Sequence, residues 1–125
     1  MEKLKILVVD DSGVVLKAIN DLLSEDYEIS LAKSGLSAIR SITLNRPDLV
    51  LLDYEMPVCN GKQVLEMIRS EGEFADIAVI FLTGRVDKES VQKVLSLKPA
   101  GYLSKNLKPA VIKKNIDEYF KRITS

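Results

Sequence analysis

Four groups of residues in this 125-residue chain have the types and spacing to do chemistry together: Asp10-Asp11, Asp53, Thr83-Gly84 and Ser104-Lys105. Histidine is absent, which removes imidazole general-base catalysis, Ser-His-Asp and Cys-His nucleophile pairs and most transition-metal sites. Carboxylates, lysine and hydroxyls remain. Carboxylates gathered on one rim repel one another by roughly 4 kcal/mol per pair at ~4 Å and an effective dielectric near 20, so a cation must offset them. Hard oxygen ligands with room for water suit Mg²⁺. Such a metal makes a carboxylate a usable nucleophile toward an anionic phosphoryl group, with Lys105 and the Thr83 hydroxyl on the remaining phosphoryl oxygens.

The chain around these residues alternates strand with helix. Apolar runs rich in Val, Ile and Leu at Leu4–Val9, Tyr27–Leu31, Leu49–Leu52, Ile77–Leu82 and Gly101–Leu103 predict five strands. Between them lie stripes at helical spacing. Val15, Ile19 and Leu22 follow Ser12, placed as an N-cap; Ala38 and Ile42, then Val64, Leu65 and Ile68, then Val91, Val94 and Leu95 follow in turn. Ile112, Ile116, Tyr119 and Ile123 form the last, with Pro109 near its start. Continuous apolar strands alternating with helices predict a doubly wound α/β domain: one parallel sheet covered on both faces, with right-handed crossovers. Ligands in such folds bind beyond the carboxyl ends of the strands. Every predicted strand except the second ends in the polar residues named above.

In order and spacing, Asp10-Asp11, Asp53-Tyr54-Glu55-Met56-Pro57 with Gly61, Thr83-Gly84 and Ala100-Gly101-Tyr102-Leu103-Ser104-Lys105 resemble the receiver domain of two-component response regulators. Each element alone is weakly specific; together, at successive strand ends, they are very specific, and the resemblance covers the whole chain. It implies a flavodoxin-like five-stranded sheet in the order 2-1-3-4-5. It implies Asp53 as phosphoacceptor, Lys105 and Thr83 acting on the phosphoryl group, and Mg²⁺ held by Asp10, Asp11, Asp53 and the Glu55 backbone carbonyl. Thr83 and Tyr102 would form a switch pair that alters the surface of the fourth helix, fifth strand and fifth helix. The implied phosphodonor is a histidine kinase or a histidine phosphotransfer protein, and the signal would pass to an output domain or a downstream protein. One departure is Asn106, where the family usually has proline after the lysine, often in a cis bond; without proline that bond costs about 2.5–4 kcal/mol. Glu55 and Arg85, each two residues past a key residue, are expected to face one another across the site mouth.

Composition narrows the alternatives. The 18 basic and 18 acidic side chains cancel and are interspersed, which argues against a direct nucleic-acid role. No apolar run approaches the about 20 residues of a membrane span. The lone Cys59 and the absence of a signal-like leader predict a cytoplasmic protein, with residues 1–125 forming one receiver domain. Cys59 reads as a bystander, and Lys113, Lys114, Lys121 and Arg122 as a solvated helix face. Val14 falls off the first helical stripe and should present an apolar side chain beside the site, making that helix the expected dock for the phosphodonor. An aspartyl-phosphate hydrolase could use Glu55 as its second acid, but the chain has no cap segment. A flavin protein would need a phosphate cradle where Asp10-Asp11 stand. A docking module that no longer accepts phosphate would not need every reactive residue retained.

Overall fold

A computed structural model describes residues 3–84 and 87–124. Strand and helix alternate as β1 (Lys5–Val9), α1 (Gly13–Leu23), β2 (Glu28–Ala32), α2 (Gly35–Leu44), β3 (Leu49–Leu52), α3 (Gly61–Ser70), β4 (Val79–Thr83), α4 (Lys88–Val94), β5 (Gly101–Ser104) and α5 (Pro109–Thr124). Short 3₁₀ turns at Gly72–Phe74 and Leu95–Leu97, which the apolar pattern does not announce, follow α3 and α4. All strand pairs are parallel, in the order β2-β1-β3-β4-β5. The fold is the doubly wound parallel sheet that the residue pattern predicts, in the flavodoxin-like strand order that the resemblance implies.

The period of two along each strand divides the core. Val50, Leu52, Val79 and Phe81 face α2, α3 and α4, whereas Leu49, Leu51, Ile80 and Leu82 face α1 and α5. The central strands β3 and β4 are buried throughout, as continuous apolar runs require of a sheet covered on both sides. Four helices start on side chains that satisfy a free backbone N–H: Ser12, Ser34, Asn60 and Asp87 each accept from the residue three further on. Ser37 and Gln63 reciprocate at α2 and α3.

Three helical stripes differ from the sequence pattern. On α1 the buried residues are Leu16, Ile19 and Leu23, with Val15 and Leu22 only partly covered. On α5 they are Ile112, Ile116 and Phe120; Tyr119 is partly covered and Ile123 is 57% exposed. Both helices carry apolar residues at adjacent positions, so the sequence permits two stripes one residue apart, and contact with the sheet selects one. On α4, Val94 and Ser90 are buried while Leu95 points outward, because the helix has already tightened into the 3₁₀ turn that ends at Lys98 with φ 53°. Lys113 is likewise more than a solvated face: its ammonium lies 2.8 Å from Asp26 and 2.7 Å from Asp117, and Asp117 also accepts from the Tyr27 hydroxyl. This cluster ties α5 to the start of β2. Arg69 of α3 plays a similar part at the other side, donating to the carbonyls of Ala75, Ile77, Leu97 and Lys98.

Gly61 starts α3 directly beneath the end of β3. Its N–H donates to the Tyr54 carbonyl at 2.8 Å, and a Cβ there would lie 2.4 Å from the Asp53 carbonyl oxygen, 2.7 Å from Tyr54 Cα and 2.9 Å from the Phe81 ring. Two of these neighbours are backbone and cannot yield. Gly61→Ala is therefore expected to destabilise the domain by about 1–3 kcal/mol, read as a lower midpoint at unchanged slope in urea unfolding.

Candidate functional site

Each reactive residue stands one position past, or at the end of, its strand, where the ladder still holds it. Asp10 N–H donates to Ala32, Asp53 N–H to Val9 and Lys105 N–H to Thr83, all at 3.0 Å. Main-chain pairing thus brings Asp10, Asp53, Thr83 and Lys105 to one rim although up to 95 residues separate them in the chain. Asp10 and Asp53 are 2% and 4% exposed, Thr83 is fully buried and Asp11 is exposed.

Asp10, Asp11 and Asp53 each turn a carboxylate oxygen to within 4.8 Å of the others. The Lys105 ammonium reaches Asp10 Oδ2 at 2.5 Å and Asp53 Oδ2 at 3.1 Å. The other oxygens of these acids are also occupied: Asp10 Oδ1 accepts from the Ser12 N–H at 2.9 Å, and Asp53 Oδ1 from the Glu55 N–H at 3.2 Å. Burial disfavours the Asp10 carboxylate and, with the neighbouring Asp53 charge, holds its pKa above the ordinary 3.8 despite Lys105 and Ser12. Burial also disfavours the Lys105 ammonium, but its hydrogen bonds to Asp10 and Asp53 outweigh that and raise its pKa. One ammonium among three carboxylates leaves the rim net negative. All-oxygen donors, one of them exposed to solvent, fit a hard divalent cation such as Mg²⁺ that keeps part of its water shell.

Tyr102 projects from β5 into the α4 side of the core. Its ring stacks on Phe81 with centroids 4.9 Å apart, and its hydroxyl donates to the Ser90 carbonyl at 3.1 Å. Burial, reinforced by the electrostatic influence of the neighbouring Tyr54 and Asp87, pushes its pKa up to about 12. Ser90, a partner that the apolar pattern of α4 does not reveal, is itself 3% exposed. Phe81 was detectable from strand periodicity, since it lies two residues before Thr83 and must share its face.

The loop carrying Lys105 is closed without a cis bond, as no cis peptide occurs among the described residues. The Asn106 N–H instead donates to Ser104 Oγ at 3.0 Å. Glu55 meets the site through its main-chain N–H. Its expected partner Arg85 lies outside the described residues. Cys59 packs its thiol near Gly35 and Val64. Just before it, Val58 has φ 68° with its side chain fully in solvent, in a tight turn closed by Cys59 N–H to Pro57 O at 2.7 Å. A β-branched residue in that conformation stores on the order of 1–3 kcal/mol beside the site. Val14 is 81% exposed and borders an apolar cavity of about 250 Å³ that also touches Ala18, Lys105, Leu107 and Pro109.

The sequence model of the response regulator receiver domain matches residues 6–117, and the chain belongs to that family. Over 101 residues it is 33% identical to the sensor histidine kinase TmoS of Ectopseudomonas mendocina, covering 81% of this chain and 10% of that protein. Over 126 residues it is 31% identical to a protein-glutamate methylesterase/protein-glutamine glutaminase of Clostridium acetobutylicum, covering 98% of this chain and 36% of that one. The chain thus spans well under half of either relative. Among solved structures, the chemotaxis protein CheY4 of Vibrio cholerae superposes with TM-score 0.88 at 24% identity, covering 94% of this chain and 98% of that one. The signal receiver domain of a signal transduction histidine kinase from Syntrophus aciditrophicus gives 0.83 at 26%, covering 95% and 91%. This is a receiver domain of the two-component signalling class.

The raised pKa of Asp10 has a consequence for stability. A carboxylic acid whose folded pKa exceeds its unfolded one contributes stability that is present below the unfolded value and lost as pH rises through the folded value. Ionised Asp10 therefore strains the fold at pH 7. Asp10→Asn is expected to melt at a higher temperature than the parent in metal-free buffer at pH 7, the two converging as pH falls below about 4. Calorimetry across that range tests it.

Proposed function

We propose that the domain accepts a phosphoryl group on Asp53 with Mg²⁺ bound by Asp10, Asp11, Asp53 and the Glu55 backbone carbonyl, and passes the event to its α4-β5-α5 surface. The observation that carries this reading is the convergence of three carboxylates and one lysine, at successive strand ends, on a single rim. A carboxylate oxygen of Asp53 would form the new bond to phosphorus as the donor's bond to phosphorus breaks. Mg²⁺, when bound, supplies charge neutralisation for the approach of one anion to another. Lys105 already lies within 3.1 Å of Asp53, so a small rotation of its side chain would carry the ammonium to a phosphoryl oxygen. Thr83 would add its hydroxyl, and Tyr102 would respond by changing its position against α4.

No histidine lies within these 125 residues, so the phosphoryl group would come from a phosphohistidine outside this domain or from a small acyl phosphate. A histidine kinase or histidine phosphotransfer protein would dock over the apolar surface beside Val14 and Lys105, and the relatives' domain context supports an attached output domain or downstream partner. Nucleic acid and membrane are not expected partners: charge is balanced, and no described helix is long and apolar enough to cross a membrane. The domain would act as a phosphoacceptor rather than turn over a substrate, in the cytoplasm.

Two measurements test this. With Mg²⁺ and a small acyl-phosphate donor, the protein is expected to gain the mass of one phosphoryl group, labile to hydroxylamine, and Asp53→Asn to gain none; a full gain in the variant removes the assignment. Asp11 is exposed whereas Asp10 is committed to Lys105 and Ser12, so Asp11 is the more available ligand. Asp11→Asn is expected to weaken Mg²⁺ binding about tenfold or more and Asp10→Asn less, a tenfold change being about 1.4 kcal/mol; titration calorimetry ranks them.

A further inference from the structure

Three aromatic rings, one just past β3, one in β4 and one in β5, lie in contact on the α2-α3-α4 side of the sheet. Tyr54, the residue after Asp53, packs on Phe81 with centroids 5.8 Å apart and planes at 56°, and Phe81 stacks on Tyr102 at 4.9 Å and 28°. Register explains the row: Phe81 is directly opposite both Leu52 on β3 and Tyr102 on β5, and Tyr54 lies two residues beyond Leu52 on the same face. Phe81 has no exposed surface, and the ring fits under the start of α3 because Gly61 lacks a Cβ, which would lie 2.9 Å from it. At the far end the Tyr102 hydroxyl holds the Ser90 carbonyl in the first turn of α4, where the Ser90 hydroxyl and N–H both bond to the Asp87 cap.

We propose that Tyr54, Phe81 and Tyr102 form an aromatic relay, with Phe81 as its positioning residue, that couples the backbone beside Asp53 to the first turn of α4 by a route separate from the Thr83 hydroxyl. A close-packed interior transmits displacement instead of absorbing it. The buried middle ring has Gly61 and Tyr54 on one side and Tyr102 on the other. A shift of Tyr54 when Asp53 is modified therefore moves Phe81, and Tyr102 must follow or lose its stack. Displacement of Tyr102 releases the Ser90 carbonyl from its phenol, and the α4 start is freed. The relay changes how completely α4 answers the site, leaving the reactions at Asp53 unaffected. It rests on the proposal that Asp53 is the modified residue.

The probe is beryllofluoride with Mg²⁺, which mimics an acyl phosphate. Its uptake is followed by fluorine NMR, and amide hydrogen exchange of residues 88–94 is followed by mass spectrometry. In the parent chain, uptake is expected to accelerate exchange in α4. In Phe81→Leu, which keeps the site apolar but removes the ring, uptake is expected to persist while the change in α4 exchange shrinks by about two- to tenfold, the range that one aromatic pair supplies. Tyr54→Leu removes the half-buried end of the row and is expected to shrink the response in the same sense, providing the test if Phe81→Leu does not fold. Tyr102→Phe, which keeps the stack and loses the phenol, should raise α4 exchange before any ligand is added. Undiminished α4 responses in Phe81→Leu and Tyr54→Leu, with uptake intact, overturn the relay. Absence of uptake in the parent instead overturns the assignment of Asp53.

Discussion

The architecture depends on holding like charges together where water cannot screen them. Asp10 and Asp53 are almost wholly buried, and removing such groups from water costs several kcal/mol each unless partners replace the lost solvation. Lys105 supplies one such partner to both acids, and the N–H groups of Ser12 and Glu55 supply the others. The Lys105 contacts to both acids hold only while β1, β3, β4 and β5 keep their register. A slip by one residue would reverse every side chain and send the acids to the opposite faces of the sheet. The uninterrupted apolar runs of β1, β3 and β4, covered by helices on both sides, keep the rim fixed against its own repulsion.

The two faces of the sheet serve different ends. On the α1-α5 face, aliphatic residues dominate, and the helices are fastened at their margins by the Tyr27-Asp117-Lys113-Asp26 cluster. Tyr27 also packs on Phe120, so apolar and polar contacts converge on the same seam. The other face contains the aromatic row and the shorter α4, whose seven residues end in a 3₁₀ turn. A short helix held by caps and a few side chains is the element most readily moved, because it has little buried surface to oppose displacement. Arg69 anchors the 3₁₀ turn beyond the far end of that helix through the Leu97 and Lys98 carbonyls, and the Asp87 cap and the Tyr102 hydroxyl hold its first turn.

The family relationship places this geometry in signalling without fixing the pathway. The relatives that match this chain over part of their length include a sensor kinase and a methylesterase. Here the strained Val58 turn and the apolar cavity at Val14 flank the rim on two sides.

Much of this was legible in the residues themselves. Strand runs alternating with helical stripes prescribe a doubly wound sheet, and in such a sheet polar residues at strand ends must meet. Asp10, Asp53, Thr83 and Lys105 were therefore identifiable as neighbours before any coordinate, since parallel pairing and right-handed crossovers leave few other arrangements. What the sequence left open depends on contacts between elements. Adjacent apolar positions on α1 and α5 allow two stripes, and only packing against the sheet selects Leu16, Ile19 and Leu23, or Phe120 over Ile123. Lys113 reads as a surface charge until Asp26, 87 residues earlier, is brought beside it. Tyr54 just past β3, Phe81 in β4 and Tyr102 in β5 become one row only when lateral register sets them side by side. Local chemistry and periodicity determine which residues can act and on which edge; side-chain partners depend on distances that only the assembled tertiary structure defines.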